Sequence, residues 1–248
     1  GRGWDNYTFH TDLPPGHPMV TGMQTVEFDL CCTDYAKLII PWGMNWISTK
    51  MPDAHWLTEA RIKGSKVITV TVEYSSTANK SDEVIIIRPG TDPAFALGLA
   101  QVIMKEKLYD EEYVKSSTDL PLLIRMDTMK LLKAEDAIPG YASPAARRDT
   151  RVLQKGEAPP PGIKSEGRQV ISDELLESWG SSVVWDRKAG KPAAVTRDDV
   201  GKFFVEKGID PELDAEKEIL ISGETVKVRS VYSVIRQLLD DSYDPDTV

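Results

Sequence analysis

The sequence lacks the short motifs that mark several common classes of enzyme site. It has no G-x-G-x-x-G fingerprint and no G-x-x-x-x-G-K-[ST] loop, so neither an ordinary NAD site nor a P-loop is supported. It also has no G-x-S-x-G elbow to place a serine, a histidine and an acid together. Hydrolysis through an activated serine is therefore not indicated.

Residues that commonly bind metals through sulfur or imidazole are scarce. The two cysteines, Cys31 and Cys32, are neighbours, and no C-x-x-C pair exists to hold zinc or an iron–sulfur cluster. We expect both to be small buried side chains, as free cysteines commonly are. The three histidines, His10, His17 and His55, have no metal-ligand spacing, so we interpret them as ordinary hydrogen-bonded side chains.

Long apolar runs and clusters of positive charge are also missing. The formal net charge is −9, and it is spread evenly: residues 1–142 carry 14 Lys and Arg against 19 Asp and Glu, and residues 143–248 carry 16 against 20. The absence of a basic segment argues against nucleic acid as a partner. No run of 18 apolar residues occurs, so we expect no membrane span in this chain.

The two ends of the chain suggest a segment of a longer polypeptide. The sequence starts GRGWDNY, without an initiator Met or a targeting segment, and it ends SYDPDTV without a helix cap. We therefore expect further chain on both sides.

The clearest pattern covers residues 36–107. Three apolar runs, AKLIIPWG, SKVITVTV and DEVIIIRPG, alternate with helical segments. PDAHWLTEARIKG predicts a helix capped by Asp53 and ended by Gly64. DPAFALGLAQVIMKEKL predicts another, with Asp92 at the N-cap. The pattern predicts an α/β fold, a doubly wound, Rossmann-like parallel sheet with helices on both faces.

The remainder predicts an α+β extension. Residues 111–136 are predicted to be mostly helical, with a break near Pro121. Residues 139–168 are rich in Pro, Gly and charge and predict a linker or a long excursion. Residues 169–248 form the extension, incomplete at its C-terminus, with predicted turns at Ala189-Gly190 and Ser222-Gly223-Glu224 and a final amphipathic helix, SVYSVIRQLLDD.

Polar residues follow each of the three predicted strands. In an open α/β sheet the carboxyl ends of parallel strands share one edge, where ligands collect. We therefore expect Gly43 and Asn45, residues 73–75 and residues 90–92 to converge. An acid after a strand can accept both hydroxyls of a ribose, a second acid can accept the paired N–H donors of guanine, and glycines allow close approach to phosphate.

These residues also have simpler explanations. Asp92 is a good N-cap whatever it binds, and Glu73 could be a solvated loop acid. The strand ends alone therefore suggest a nucleotide site, with a preference for guanine, and do not establish it.

Four longer segments resemble one family of enzymes. They are DLPPGHP, IIPWGMNW, the block from KMPDAHWLTEARIKG to RPGTDPAFALGLAQVI, and YVKSSTDLPLLI. Together they resemble catalytic subunits of the molybdenum bis(molybdopterin guanine dinucleotide) oxidoreductases, the dimethyl-sulfoxide-reductase superfamily. Within it they are similar to the branch that contains nitrate reductase and nitrite oxidoreductase alpha subunits. The similarity is dense over residues 4–136 and looser beyond.

The resemblance implies a role for each strand end. The loop with Trp42, Gly43 and Asn45 would approach the cofactor phosphates. Glu73 would contact the guanosine ribose and Asp92 the guanine. The strand end TVEY departs from the family's more common Pro-Asp, so a longer side chain would have to reach the same hydroxyls. The full set of cofactor-binding residues implied is Trp42, Gly43, Asn45, Glu73, Tyr74, Ser75, Gly90, Thr91 and Asp92.

The resemblance also implies a molybdenum ligand near the start of the chain. Nitrate-reductase-like members carry an aspartate ligand just before DLPP, and Asp5 is the matching residue. More residues separate Asp5 from Asp12 than the family pattern has, so Asp12 is its rival. A carboxylate is a suitable hard ligand for oxidised molybdenum. Residues 1–35 would then be a molybdenum-proximal segment, and residues 36–138 the Rossmann-like unit that binds the guanine dinucleotide.

The implied activity is oxygen-atom transfer between nitrite and nitrate, with nitrite oxidation favoured. Other oxyanion reductases or hydrocarbon hydroxylases of the branch are alternatives, as is a non-catalytic nucleotide-binding module. The implied partners are an iron–sulfur beta subunit and a haem-bearing or membrane gamma subunit. A 4Fe-4S cluster would have its ligands outside this chain. The complex would be membrane-associated, on the periplasmic or the cytoplasmic face, and this chain would be inactive alone.

Overall fold

The structure is a computed structural model, and it describes residues 20, 30–142, 180–196 and 199–243. Contacts divide the chain into two compact units, residues 1–92 and residues 93–248. Asp5, Asp12, His10, His17 and most of the predicted linker lie outside the described residues.

The first unit contains a three-stranded parallel sheet. Its strands, in spatial order, are β1 (Leu38–Ile39), β2 (Lys66–Thr71) and β3 (Glu83–Ile86). The central strand β2 is rich in β-branched residues, which suit a pleated sheet, and four of its six residues are buried. The three predicted strands are therefore confirmed, as is their parallel pairing.

The connection from β1 to β2 contains three helical segments. They are α1 (Trp46–Thr49), a 3-10 helix (Met51–Asp53) and α2 (Ala54–Ile62), and further 3-10 helices cover Leu30–Tyr35 and Ala78–Lys80. Helix α2 ends before Gly64, whose φ of 105° favours glycine. Asp53 occupies the N-cap of α2 as predicted, although its side chain makes no capping hydrogen bond. The core of the unit combines these helices with the sheet: Ile39, Trp46, Leu57, Ala60 and Val67.

Within the described residues, the second unit combines four helices with antiparallel strands. The helices are α3 (Asp92–Lys105), which starts at the last residue of the first unit, α4 (Glu111–Ser117), α5 (Ala134–Ala137) and α6 (Val231–Ser242). The strands are β4 (Leu123–Arg125), β5 (Lys130–Leu131), β6 (Ser182–Asp186), β7 (Lys191–Val195), β8 (Glu216–Ile221) and β9 (Glu224–Ser230). One sheet has the order β5-β4-β9-β8, and β6 and β7 form a separate hairpin.

Both predicted hairpins and the final helix are confirmed. Strands β8 and β9 turn at Ser222 and Gly223, whose φ values of 51° and 89° are both positive. Two positive φ values in a two-residue turn match the twist of a hairpin. Gly190, at φ 64°, supplies the corresponding freedom between β6 and β7.

Two expectations were wrong. Residues 123–131 form β4 and β5 instead of helix, because β4 pairs with β9 about a hundred residues later, and a long-range partner decides the local structure. The cysteines are not buried: Cys31 is partly exposed and Cys32 is exposed, both in the 3-10 helix Leu30–Tyr35.

A mixed α/β architecture with a parallel sheet is thus established. Helices on both faces of a doubly wound sheet stay a prediction, as do the predicted domain boundaries after residues 35, 138 and 168. The division between the compact units falls after Asp92, inside the predicted 36–138 unit. Across the described ranges, no helix combines the length and the apolar character needed to cross a bilayer.

Candidate functional site

The site lies at the carboxyl edge of the parallel sheet in the first unit. Because β1, β2 and β3 are parallel, the segments that leave them start from the same edge. The three segments are residues 40–45, residues 72–77 and residues 87–92, which we call the first, second and third strand-end loops.

The first loop is fixed to the central strand by its backbone. Trp42 forms a parallel bridge with Val70. The Gly43 N–H donates to the Val70 carbonyl at 2.8 Å, and the Val70 N–H donates to the Pro41 carbonyl at 3.0 Å. The loop therefore continues the sheet pairing past the end of β1, which holds its residues against β2.

The first and third loops meet through a side-chain hydrogen bond. Trp42 Nε1 donates to Asp92 Oδ1 at 2.9 Å, and both side chains are partly buried. Asp92 Oδ2 has no hydrogen-bond partner among the residues that the structure describes. Asp92 is the first residue of α3 rather than its N-cap, a difference of one position that lies within the usual uncertainty of helix ends. One carboxylate oxygen is thus available to a ligand.

The first and second loops meet through Asn45. Its side-chain oxygen accepts hydrogen bonds from Ser76 Oγ at 2.9 Å and from Thr77 Oγ1 at 3.1 Å. Ser76 also shares a hydrogen bond of 2.7 Å with Ser48 Oγ in α1. The predicted convergence of the strand ends is therefore observed for the first loop with each of the other two.

The second loop exposes an acid and an aromatic ring. Glu73 and Tyr74 are exposed, and the Glu73 carboxylate makes no hydrogen bond or ion pair with any other described residue. Ser75 has a local role, because its Oγ accepts from the Ala78 N–H at 3.4 Å at the start of a 3-10 turn. Glu73 is therefore available for a ligand, whereas Ser75 is engaged in the loop.

Two glycines of the site adopt left-handed backbone conformations. Gly43 has φ 60° and Gly90 has φ 83°, and a Cβ at either position would meet no atom within 4 Å. Glycine is therefore required by the turn and not by crowding, and the space beside both residues is open. Thr91 closes the third loop, since its N–H and its Oγ1 both donate to the Arg88 carbonyl, at 3.1 and 2.7 Å.

Asp82, at the opposite edge of the sheet, is an acid with a structural role in this unit. Asp82 precedes β3, accepts from the Val67 N–H at 2.8 Å and pairs with Arg61 at 2.7 Å. The backbone hydrogen bond from Val67 and then the Arg61 guanidinium lower the pKa of this carboxyl below its usual value. Asp82 is thus held as an anion by protein groups, whereas the Glu73 carboxylate has no such partner among the described residues.

No metal centre forms within the described part of the chain, where His, Cys, Asp and Glu make no cluster of three. His55 is hydrogen-bonded as expected: its Nδ1 lies 3.1 Å from the Pro52 carbonyl, and its ring lies against Trp56. The predicted metal ligands Asp5 and Asp12 are outside the described residues.

Ser76 and Thr77 were missed in the sequence. Thr77 is fully buried and joins two loops, yet it follows a run of serines that is typical of any polar turn. A hydroxyl residue near a strand end has many uses, so only the contacts distinguish it.

The polar groups at this edge have the chemistry to hold a nucleotide. The Glu73 carboxylate and Asp92 Oδ2, which have no partner among the described residues, suit a ribose diol and a second donor, and the open backbone at Gly43 and Gly90 suits phosphate. The metal of such a cofactor would also need a protein ligand, and the residues predicted for that role are outside the described part of the chain.

Comparison with known proteins identifies relatives of the chain. It is 36% identical to the respiratory nitrate reductase subunit alpha of Haloferax mediterranei over 242 residues, which cover 98% of this chain and 22% of that protein. It is 32% identical to the perchlorate reductase subunit alpha of Dechloromonas aromatica over 244 residues, 97% of this chain and 24% of that protein. The dimethylsulfide dehydrogenase subunit alpha of Rhodovulum sulfidophilum is 37% identical over 132 residues, 53% of this chain and 14% of that protein.

The chain therefore spans at most about a quarter of the length of these curated relatives. The sequence profile of the molybdopterin oxidoreductases matches residues 5–239, nearly the whole chain. This chain belongs to the molybdopterin oxidoreductase family.

Proposed function

We propose that this chain is part of the catalytic subunit of a molybdenum oxidoreductase that interconverts nitrite and nitrate by oxygen-atom transfer. The observation that carries the proposal is the carboxyl edge of the sheet, where Glu73 and one oxygen of Asp92 have no partner among the described residues and lie beside two open glycine turns. Family membership and the 36% identity to a nitrate reductase subunit alpha support it.

The proposed cofactor is molybdenum bis(molybdopterin guanine dinucleotide). When bound, it would supply a metal that changes oxidation state by two electrons and exchanges an oxygen atom with the substrate nitrogen. The 4Fe-4S cluster that would carry the electrons onward has its proposed ligands elsewhere in the subunit.

The protein groups of the site have distinct proposed tasks. Glu73 accepts hydrogen bonds from the two ribose hydroxyls of a guanosine, and Tyr74 beside it adds an aromatic surface. Asp92 accepts the N–H donors of guanine through Oδ2, while Trp42 holds Oδ1 and so fixes the plane of the carboxylate. The first loop, with Gly43 and Asn45, and the turn at Gly90 and Thr91 approach the phosphates.

The proposed metal ligand is Asp5, with Asp12 as its rival. Either aspartate would supply a hard carboxylate oxygen. Contact of Asn45, Trp42 or His10 with the substrate or the pterin is an alternative proposal for these residues.

Nitrite oxidation is our preferred direction, because the four segments that carry the family resemblance, taken together, resemble the nitrite oxidoreductase alpha subunit. Nitrate reduction is the first alternative. Reduction of another oxyanion is a second, favoured by the 32% identity to a perchlorate reductase subunit alpha. Hydrocarbon hydroxylation remains a further alternative, and a non-catalytic nucleotide-binding module is the alternative of a different class.

The proposed assembly contains an iron–sulfur beta subunit and a haem-bearing or membrane gamma subunit. The relatives support a multi-subunit setting only through their names, each of which specifies an alpha subunit. The proposed location is a membrane-associated complex, on either the periplasmic or the cytoplasmic face.

Elemental analysis of the native complex tests the proposal. We expect about one molybdenum atom per copy of this chain, together with electron transfer from nitrite to an artificial acceptor. Molybdenum with activity only on chlorine oxyanions or only in the direction of nitrate reduction would select the corresponding alternative. An active, undamaged preparation without molybdenum, but with bound guanine nucleotide, would replace the proposal by the nucleotide-binding module.

A further inference from the structure

Asn45 holds an unusual position at the start of α1. It is the N-cap of this helix, and asparagine is a preferred N-cap because its side-chain oxygen accepts from a backbone N–H of the first turn. Here the Asn45 side chain makes no capping hydrogen bond. The first-turn N–H of Ile47 donates instead to Thr77 Oγ1 at 3.0 Å, so the cap comes from the second strand-end loop.

The borrowed cap leaves the Asn45 side chain free for another contact. Its oxygen accepts from Ser76 at 2.9 Å and from Thr77 at 3.1 Å. Its amide nitrogen, Nδ2, has no hydrogen-bond partner among the described residues.

The buried hydroxyl of Thr77 decides which way the amide faces. Thr77 is fully buried, and its Oγ1 already accepts from Ile47, so its proton needs an acceptor within the protein. The Asn45 oxygen is that acceptor. In the opposite orientation of the amide, the Thr77 hydroxyl would face two N–H donors, the Ile47 backbone N–H and the Asn45 amide. Its own proton would then be buried without an acceptor.

We propose that Ser76 and Thr77 are positioning residues that turn the Asn45 amide nitrogen outward as a fixed N–H donor for an anionic oxygen of the bound dinucleotide. The inference rests on the proposed function, since it assigns the ligand atom that the Asn45 amide contacts. Neither Ser76 nor Thr77 touches the ligand in this arrangement. Their contribution is to hold one rotamer of Asn45, so no ordering of that side chain is needed when the phosphate binds.

Asn45→Asp is the decisive variant. Aspartate keeps an oxygen that accepts from the Ser76 and Thr77 hydroxyls, and it leaves the hydrogen bond from Ile47 to Thr77 in place. It replaces the Nδ2 donor, however, by a negatively charged acceptor. We expect the melting temperature of the full-length subunit to change little. We expect guanine nucleotide to leave the purified subunit about tenfold faster or more, because a charge-assisted hydrogen bond is lost.

Two matched variants separate this effect from general causes. Asn79→Asp adds the same charge to an exposed residue that follows the second loop, and it should leave nucleotide release unchanged. Thr77→Val removes the buried hydroxyl with little change in shape and should speed nucleotide release, whereas Thr77→Ser should restore retention close to wild type.

The outcomes distinguish the inference from the proposed function. A wild-type subunit that holds molybdenum-bound pterin with guanine nucleotide, and an Asn45→Asp variant that releases it at the wild-type rate, would overturn the positioning role alone. A wild-type subunit without guanine nucleotide would overturn both proposals. Faster release in Asn45→Asp and Thr77→Val, but not in Asn79→Asp or Thr77→Ser, supports the inference.

Discussion

The carboxylate of Asp92 has two oxygens in different situations. Oδ1 accepts from the Trp42 indole at 2.9 Å, and Oδ2 has no partner within the described part of the chain. An asparagine at this position could still accept from Trp42 through its amide oxygen. It would, however, present an N–H₂ group where the proposed guanine also presents donors.

We therefore predict that Asp92→Asn leaves the fold nearly unchanged and weakens retention of the guanine nucleotide. The expected loss is about 2 kcal/mol of binding, the typical value of a hydrogen bond to a charged group. Nucleotide content of the purified full-length subunit, measured by chromatography after acid release, checks this. Glu106→Gln is the control, because it removes one exposed charge that has no ion pair among the described residues. Unchanged nucleotide content in Asp92→Asn would refute the assignment of guanine to Asp92.

Lys107 adopts a backbone conformation that usually requires glycine. It follows α3 with φ 56°, and the Leu108 N–H donates to the Ile103 carbonyl at 2.9 Å across it. This is the arrangement in which a helix usually ends with glycine in the left-handed conformation. A lysine there is strained by its Cβ.

We predict that Lys107→Gly raises the free energy of unfolding by about 0.5–1 kcal/mol, because the native conformation loses its steric cost. Lys105→Gly is the matched control within the last turn of α3, where glycine should instead cost about 1 kcal/mol. Thermal denaturation of the two variants beside wild type measures both. If Lys107→Gly were destabilised, the lysine side chain would have to make a contact whose stabilising energy exceeds the steric cost of its left-handed conformation.

At the scale of elements, Ser230 joins β9 to α6. It is fully buried, its Oγ accepts from the Ser233 N–H at 3.1 Å as the N-cap of α6, and it also donates to the Leu213 carbonyl and accepts from the Ala215 N–H at 3.2 Å. One hydroxyl therefore satisfies three backbone groups from two segments of the chain.

Ser230→Ala should cost about 2 kcal/mol, since it removes a helix cap and leaves buried backbone groups unpaired. Hydrogen exchange resolves the effect locally: amides in the first turn of α6 should exchange roughly 30-fold faster. Asp110→Ala removes the exposed N-cap of α4, whose carboxylate accepts from the Tyr113 N–H at 2.9 Å, and should cost less, about 0.5–1 kcal/mol. Equal costs for the two caps would contradict the view that burial sets the difference.

The elements that were predictable are those whose sequence carries a local signal. The Val and Ile runs of β2 and β3 gave the parallel sheet, and Ser222-Gly223 gave a hairpin turn. Strand β4 was not predictable, because LPLLIR is short and apolar and becomes a strand through its pairing with β9. Likewise Asn45 was singled out beside Gly43. The cap that Thr77 supplies to α1 through the Ile47 N–H spans 30 residues, however, and no sequence spacing indicates it.

At the scale of the whole molecule, the chain carries a net charge of −9, and among the described residues few acids are buried. Asp210 is an exception. It accepts from Lys115 in α4 at 3.1 Å and from Arg187 Nε, after β6, at 2.9 Å. Lys115 is itself buried and also pairs with the exposed Glu111 at 2.6 Å. These ion pairs connect three parts of the second unit: α4, the turn after β6 and the segment that contains Asp210.

Burial of Asp210 acts to raise the pKa of its carboxyl, but the hydrogen bonds from Lys115 and Arg187 outweigh that effect and hold the pKa below its usual value. A carboxyl whose pKa is lower in the folded state than in the unfolded state stabilises the fold above its unfolded pKa of about 3.9. That stabilisation is lost as the pH falls through the folded pKa. The second unit should therefore lose stability in acid below about pH 4.

Asp210→Asn tests this role of the network. At pH 7 we expect a loss of about 3 kcal/mol, because among the described residues the buried ammonium of Lys115 then keeps only its exposed partner Glu111. Glu111→Gln, which removes that exposed partner instead, should cost about 0.5 kcal/mol. Melting temperatures measured from pH 3 to pH 7 should show a steep acid decline in wild type and a shallower one in Asp210→Asn, since the titrating group is gone. Parallel curves for the two proteins would mean that acid acts on other carboxyls and that Asp210 does not govern the pH dependence of the second unit.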